Sequence, residues 1–231
     1  MKRAVIVQSN YIPWKGYFDL IASADECILF DDAQYTKGDW RNRNRIKTPH
    51  GLRWLTVPVL TKGARHQRIS DVRIAPGRWA SRHWNSLESN YGRAEHFVQV
   101  ARWLAPLYKE RSYSHLYELN HTMIRAICEV LGIGTRLRPS SEFHLVEGRT
   151  TRLVSLCQQV GASEYLSGTA ARAYLDEREF ERAGIRVTWH DYGDYPEYAQ
   201  PWGAFTHQVS ILDLLFNCGP HASRYMRWVP A

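Results

Sequence analysis

Two adjacent carboxylates close an apolar run: ECILFDD, residues 26–32, ends in Asp31 and Asp32. An acid at the end of a strand could coordinate a metal, accept from a ribose or an amine, or serve as a general base. The plain alternative is that one acid caps the next segment while the other pairs with a nearby arginine. Two further polar groups follow apolar runs in the same way. Gln8, Ser9, Asn10 and Tyr11 follow AVIV, and Ser167, Gly168 and Thr169 follow EYL. If these runs are parallel neighbours in one sheet, their polar ends converge on a single edge, where ligands of open α/β sheets bind.

The segment from Lys37 to Lys47 adds charge. Arg41, Arg43 and Arg45 join those two lysines, Asp39 is the lone acid, and Trp40, Asn42 and Asn44 are interleaved. Arginine donates in pairs to carboxylate or phosphate, and asparagine adds amide hydrogen bonds. Arg41, Asn42, Arg43 and Lys47 therefore form a candidate anion clamp over the strand ends. A solvated loop is the bland reading. An RNA-binding stripe is a third, ranked lower because five cations are few for a nucleic-acid footprint. Trp14 and Lys15 in the first loop, and Gln34 and Tyr35 after the acids, complete the candidate substrate contacts. Ser167 and Thr169 stand at a strand-to-helix junction, where backbone amides and the helix dipole favour anions, or where either residue simply caps.

Other chemistries find less support. No HxxxH, HExxH or HxH spacing occurs among the ten histidines, and the four cysteines form no CxxC pair. No metal is assigned, and the cofactor is left open. Cys128 and Cys157 fall on apolar faces of expected helices and Cys27 inside a strand, which disfavours a thiol nucleophile. No P-loop, GxGxxG or GxSxG motif is present.

The elements that must position these groups follow from periodicity. AVIVQ (4–8) reads as a buried strand, GYFDLIASA (16–24) as a helix and residues 26–32 as a second strand, a βαβ unit. Residues 33–51 show no clear period. LRWLTVPVL (52–60) and RISDVRIA (68–75) read as a hairpin pair with Gly63 in its turn. Three amphipathic segments between Trp79 and Leu131 predict a helical insertion. Ser114 is the expected cap of the third, and Pro106 is expected to end or kink the second. A strand is expected within 135–143, a helix over 150–162, a strand over 164–168, a helix over 169–185, a strand over 186–192 and a helix over 207–219. The expected fold is α/β: one domain, residues 1–231, with an open, mostly parallel sheet interrupted by the insertion 79–131.

Hydrophobic residues make up 44% of the 231 and charged residues 23%, as in an ordinary globular protein. The net charge of +7 and a pI near 9.3 suit an anionic partner: a phosphorylated metabolite, a nucleic acid or an acidic carrier protein. No apolar run reaches the length of a membrane span, and the chain opens without a signal peptide, so a cytoplasmic protein with reduced thiols is expected.

QSNYIPWKGYFDLI (8–21), ILFDDAQYTKGDWRNRNRIKTPHG (28–51), WLTVPV (54–59), YLSGTAARAYL (165–175) and SILDLLFN (210–217) resemble the WbqC-like proteins, a bacterial family found with surface-polysaccharide and natural-product biosynthesis genes. That resemblance implies a biosynthetic transferase, one passing an acyl or aminoacyl group to an amine of a small-molecule substrate, and the net charge of +7 would suit an acidic acyl or peptidyl carrier as partner. A second resemblance concerns the fold. A strand, then N-x-x-P-x-x-G-x, a helix and a strand look like the opening of the nucleotidyltransferase superfamily, which implies ATP or CTP with magnesium. That superfamily's His-x-Gly-His loop corresponds here to Trp14-Lys15-Gly16-Tyr17, which has no histidine.

Overall fold

The structure is a computed structural model, described over residues 1–61 and 66–227. The chain forms β1 (Arg3–Val7), α1 (Lys15–Ala22) and β2 (Glu26–Leu29), then a hairpin of β3 (Arg43–Thr48) and β4 (Gly51–Thr56), then β5 (Val59–Leu60) and β6 (Arg73–Ile74). The helices α2 (Trp79–Tyr91), α3 (Phe97–Lys109) and α4 (Leu116–Val130) come next. β7 (Arg136–Pro139), α5 (Arg149–Gln159), β8 (Glu164–Gly168), α6 (Glu177–Arg182), β9 (Arg186–His190) and α7 (Ile211–Cys218) follow.

Five strands make one sheet in the order β7-β2-β1-β8-β9, and every pairing in it is parallel. Side chains alternate along its central strands. Val5, Cys27 and Leu29 face one core with α1, the three-helix segment and α7. Ala4, Ile6 and Ile28 face the other, with Val154 and Cys157 of α5 and Phe180 of α6. Burial on both faces is what makes these strands read as unbroken apolar runs. The expected α/β fold with a mostly parallel sheet is observed. Chain order reverses between β1 and β8, which is the switch point of the sheet.

Several boundaries differ from expectation. β4 pairs back onto β3, while β5 pairs with β6, so residues 52–60 and 68–75 are not one simple hairpin. Gly63 lies outside the described residues. The helix expected over 169–185 is a 3-10 turn, Thr169–Ala173, followed by α6, whose cap Asp176 accepts from the Arg178 amide at 3.1 Å. α4 is capped at His115, one residue after Ser114, and both of those amides donate to Glu118. Pro106 sits inside α3 and does not end it.

Candidate functional site

The loop after β1 is built under strain. Ile12 has φ 38°, rare for a β-branched residue, and its side chain is fully buried. Asn44 of β3 holds this conformation, donating to the carbonyls of Tyr11 (3.2 Å) and Ile12 (2.9 Å). Tyr11 itself turns into the core. Its hydroxyl meets His83 Nδ1 at 2.8 Å and the Tyr108 hydroxyl at 2.6 Å. The expectation that Tyr11 faces a ligand is therefore corrected: its ring is an anchor for α2 and α3. Its neighbours Gln8 and Asn10 stay half-buried at the sheet edge.

Asp31 lies just beyond the carboxyl end of β2 and is almost fully enclosed. One of its oxygens accepts from the Ser9 amide at 3.0 Å. The other lies 2.6 Å from His121 Nε2 of α4. His121 remains half-buried, and no hydrogen bond to Nδ1 is formed by the described residues. With Asp31 as a carboxylate and the imidazole neutral, Nε2 carries the proton and Nδ1 is left as an acceptor. The neighbouring Asn120 ties the loops together, donating to Ser9 Oγ (3.2 Å) and to the Arg41 carbonyl (2.9 Å). Arg41 donates to the side chain of Asn10 and faces Asp39 at 3.5 Å. The ends of β1 and β2, the Arg41 backbone and α4 thus meet at an acid–imidazole pair, with the Arg41 side chain held on Asn10 and Asp39. Sequence reasoning missed His121. Its one local signal was the polar Asn-His pair inside an apolar helical pattern.

Asp32 takes the plain role instead. It accepts from Ser140 Oγ at 2.7 Å and pairs with Arg68 at 3.2 Å. The expected clamp is dispersed along β3. The Arg41 carbonyl is tied to the site through Asn120, and its guanidinium lies on Asn10 and Asp39. Asn42 turns inward and donates to the Val57 carbonyl at 2.8 Å. Arg43 lies on the outer face of the hairpin, over Trp54. Lys47 is buried and donates to the Ala204 carbonyl at 2.6 Å. Gln34 is exposed beside Arg68, and Tyr35 is buried.

The switch point between β1 and β8 carries aromatic rings. Trp14 lies so close over Gly16 that a Cβ there would come within 2.4 Å of the indole. Tyr192 lies likewise against Gly168, and its ring is 5.5 Å from that of Trp14. Lys15 is enclosed, with its ammonium 4.9 Å from the Tyr195 ring and 3.0 Å from the Pro196 carbonyl. Burial lowers its pKa to about 8, against the opposing charge of Asp19. Ser167 is buried and Thr169 exposed, and the short 3-10 turn there lacks the helix dipole expected for an anion site.

An apolar cavity of about 350 Å³ lies elsewhere, between α3, the end of α4 and residues 219–223, and none of the groups above lines it. Among the described residues, no cluster of three His, Cys, Asp or Glu could hold a metal ion, and no helix is long and apolar enough to cross a membrane.

The model of the WbqC-like protein family matches residues 8–225. The chain belongs to the WbqC-like family. That span contains the strained loop, Asp31, Arg41 and His121. A relative, "Uncharacterized protein Rv1507c" of Mycobacterium tuberculosis (strain ATCC 25618 / H37Rv), is 56% identical over 228 residues, covering 99% of each chain. No solved structure matches.

Proposed function

We propose that this WbqC-like protein is a biosynthetic transferase that passes an acyl or aminoacyl group to an amine of a small molecule, a sugar or a specialised metabolite. The observation that carries this reading is the 2.6 Å contact between Asp31 and His121 at the carboxyl edge of the sheet. Asp31 orients the imidazole and holds a proton on Nε2. Nδ1 takes the proton that the amine loses as its nitrogen bonds to the acyl carbon. The same proton then goes to the leaving oxygen or sulfur of the donor, so the imidazole ends neutral. Arg41, steadied by Asn10 and Asp39, faces the anionic part of donor or acceptor. The net charge of +7 suits an acidic acyl or peptidyl carrier as the donor's vehicle.

The test is intact-mass spectrometry of an acyl-loaded carrier, before and after incubation with protein and amine. His121→Gln and Asp31→Asn should slow transfer by roughly a hundredfold or more with the fold retained by circular dichroism. Wild-type rates in His121→Gln overturn the assignment.

A second reading, a nucleotide-dependent enzyme, draws on the strand order β7-β2-β1-β8-β9, which is that of nucleotide-binding sheets. It expects thermal stabilisation by ATP or CTP with magnesium, and a flat response across a nucleotide panel removes it.

A further inference from the structure

The hairpin β3–β4 has two unlike faces. Asn44, Ile46 and Leu55 pack inward, while Arg43, Arg45, Trp54 and Leu52 point the other way, with Arg45 directly opposite Trp54. Trp40 adds its ring 5.3 Å from that of Trp54, and both indoles are 40% exposed. The Arg43 guanidinium lies 4.2 Å from the Trp54 ring, and that of Arg45 lies 5.2 Å from Trp54 and 5.5 Å from Trp40. Arg43 otherwise donates to the Gly38 carbonyl, and Arg45 to Gln208. Neither faces a carboxylate among the described residues, whereas Arg3, Arg138, Arg186 and Arg227 each do. Asp39 is engaged by Arg41 and the Trp40 amide.

We infer that this platform binds a short single-stranded nucleic-acid segment, a function beyond the transferase reading and resting on different residues. Three features select that occupant. Exposed indoles accept the flat rings of unstacked bases. Guanidinium groups already stacked on the indoles are ordered before binding and present paired N–H groups to phosphate oxygens. Phosphates and flat rings repeat along a nucleic acid strand, whereas a free nucleotide offers the combination only once. An acidic peptide would use the cations and leave the indoles idle, and a neutral glycan would do the reverse. The pI near 9.3 agrees in sign. Two rings and two guanidiniums without a carboxylate among the described residues suit about two or three nucleotides, so this site is smaller than a long nucleic-acid footprint.

The test is fluorescence anisotropy of a fluorescein-labelled oligouridine octamer with the full chain at low salt, with polyglutamate and UMP as competitors. Saturable binding is expected, weakened roughly tenfold by Trp54→Ala. Arg43→Gln should weaken it too and flatten the salt slope by about 0.7. Circular dichroism confirms that each variant folds, and Arg43→Gln serves if Trp54→Ala does not. Three results overturn the inference: no binding, equal competition by polyglutamate or UMP, or affinity unmoved in both variants. Binding is read without turnover, so failure of the transferase assignment leaves this outcome unaffected.

Discussion

Acidification should destabilise this protein through one buried histidine. His83 on α2 is enclosed, with Nε2 3.2 Å from the Thr56 carbonyl and Nδ1 2.8 Å from the Tyr11 hydroxyl. A carbonyl only accepts, so Nε2 carries the proton and Nδ1 accepts from Tyr11, which in turn accepts from Tyr108 at 2.6 Å. A second proton on the ring would replace an acceptor with a donor facing a hydroxyl already committed to donating. Burial lowers the His83 pKa to about 4, with the Thr56 carbonyl opposing. Its unfolded value is near 6.5. The unfolded chain therefore binds the proton first. Stability from this site is complete above about pH 6.5 and is lost as pH falls towards about 4. The loss amounts to about 2 kcal/mol between pH 7 and pH 5, and about 3 kcal/mol by pH 4. Urea unfolding of wild type and His83→Gln at pH 7, 5 and 4 isolates the term, because every other titration is common to both chains. The variant starts less stable, and the gap should narrow by these amounts as pH falls. A gap that stays constant from pH 7 to pH 4 refutes the reasoning.

Asn44→Ala removes both bonds to the Tyr11 and Ile12 carbonyls and should lower stability by about 1–3 kcal/mol in chemical denaturation. Gly16→Ala forces the Trp14 indole off α1, so the tryptophan emission spectrum should change alongside a fall in Tm. Asp213 is fully buried on α7 and accepts from Tyr91, Tyr198 and Gln200 at 2.7, 2.8 and 2.9 Å, so Asp213→Ala should cost about 3 kcal/mol or more and expose residues 198–206 to limited proteolysis. All four thiols are buried, and burial pushes Cys128 and Cys157 up to about 12 and Cys218 to about 11, so a disulfide-exchange reagent at pH 8 should label none until the chain unfolds.

The central sheet was legible because a strand covered on both faces leaves a continuous apolar run, and AVIV, ECIL and EYL are such runs. β3 was not, although Asn42-Arg43-Asn44-Arg45-Ile46-Lys47 alternates with period two. Buried strand positions are expected to be apolar, and here two asparagines occupy them. They are tolerated because their amides satisfy the carbonyls of Val57, Tyr11 and Ile12. The same assumption placed Tyr11 at the surface among polar neighbours. Asp31 was legible from its place at a strand end. His121 was not, since the contact joins residues ninety positions apart across β2 and α4, and no local spacing encodes it.

Strand order and acid–base chemistry point to different parts of one edge, and this bears on how a ligand enters. The switch point between β1 and β8 is the general location for ligands of such sheets, yet here Trp14 and Tyr192 rest against Gly16 and Gly168 there. The ionisable pair stands one strand over, at β2, between the β1 loop and α4. A ligand that reacts at His121 and extends towards the switch point must pass Gln8 and Asn10 and meet the indole and phenol from above. A compact ligand needs only the β2 side. The two cases separate by mutation. For any compound that raises Tm, Tyr192→Ala should weaken the stabilisation severalfold if the ligand spans the edge, and leave it unchanged if it is compact. His121→Gln should weaken it in both cases. A ligand that responds to Tyr192→Ala and ignores His121→Gln would occupy the switch point alone, and the acid–imidazole pair would then lose its claim to the chemistry.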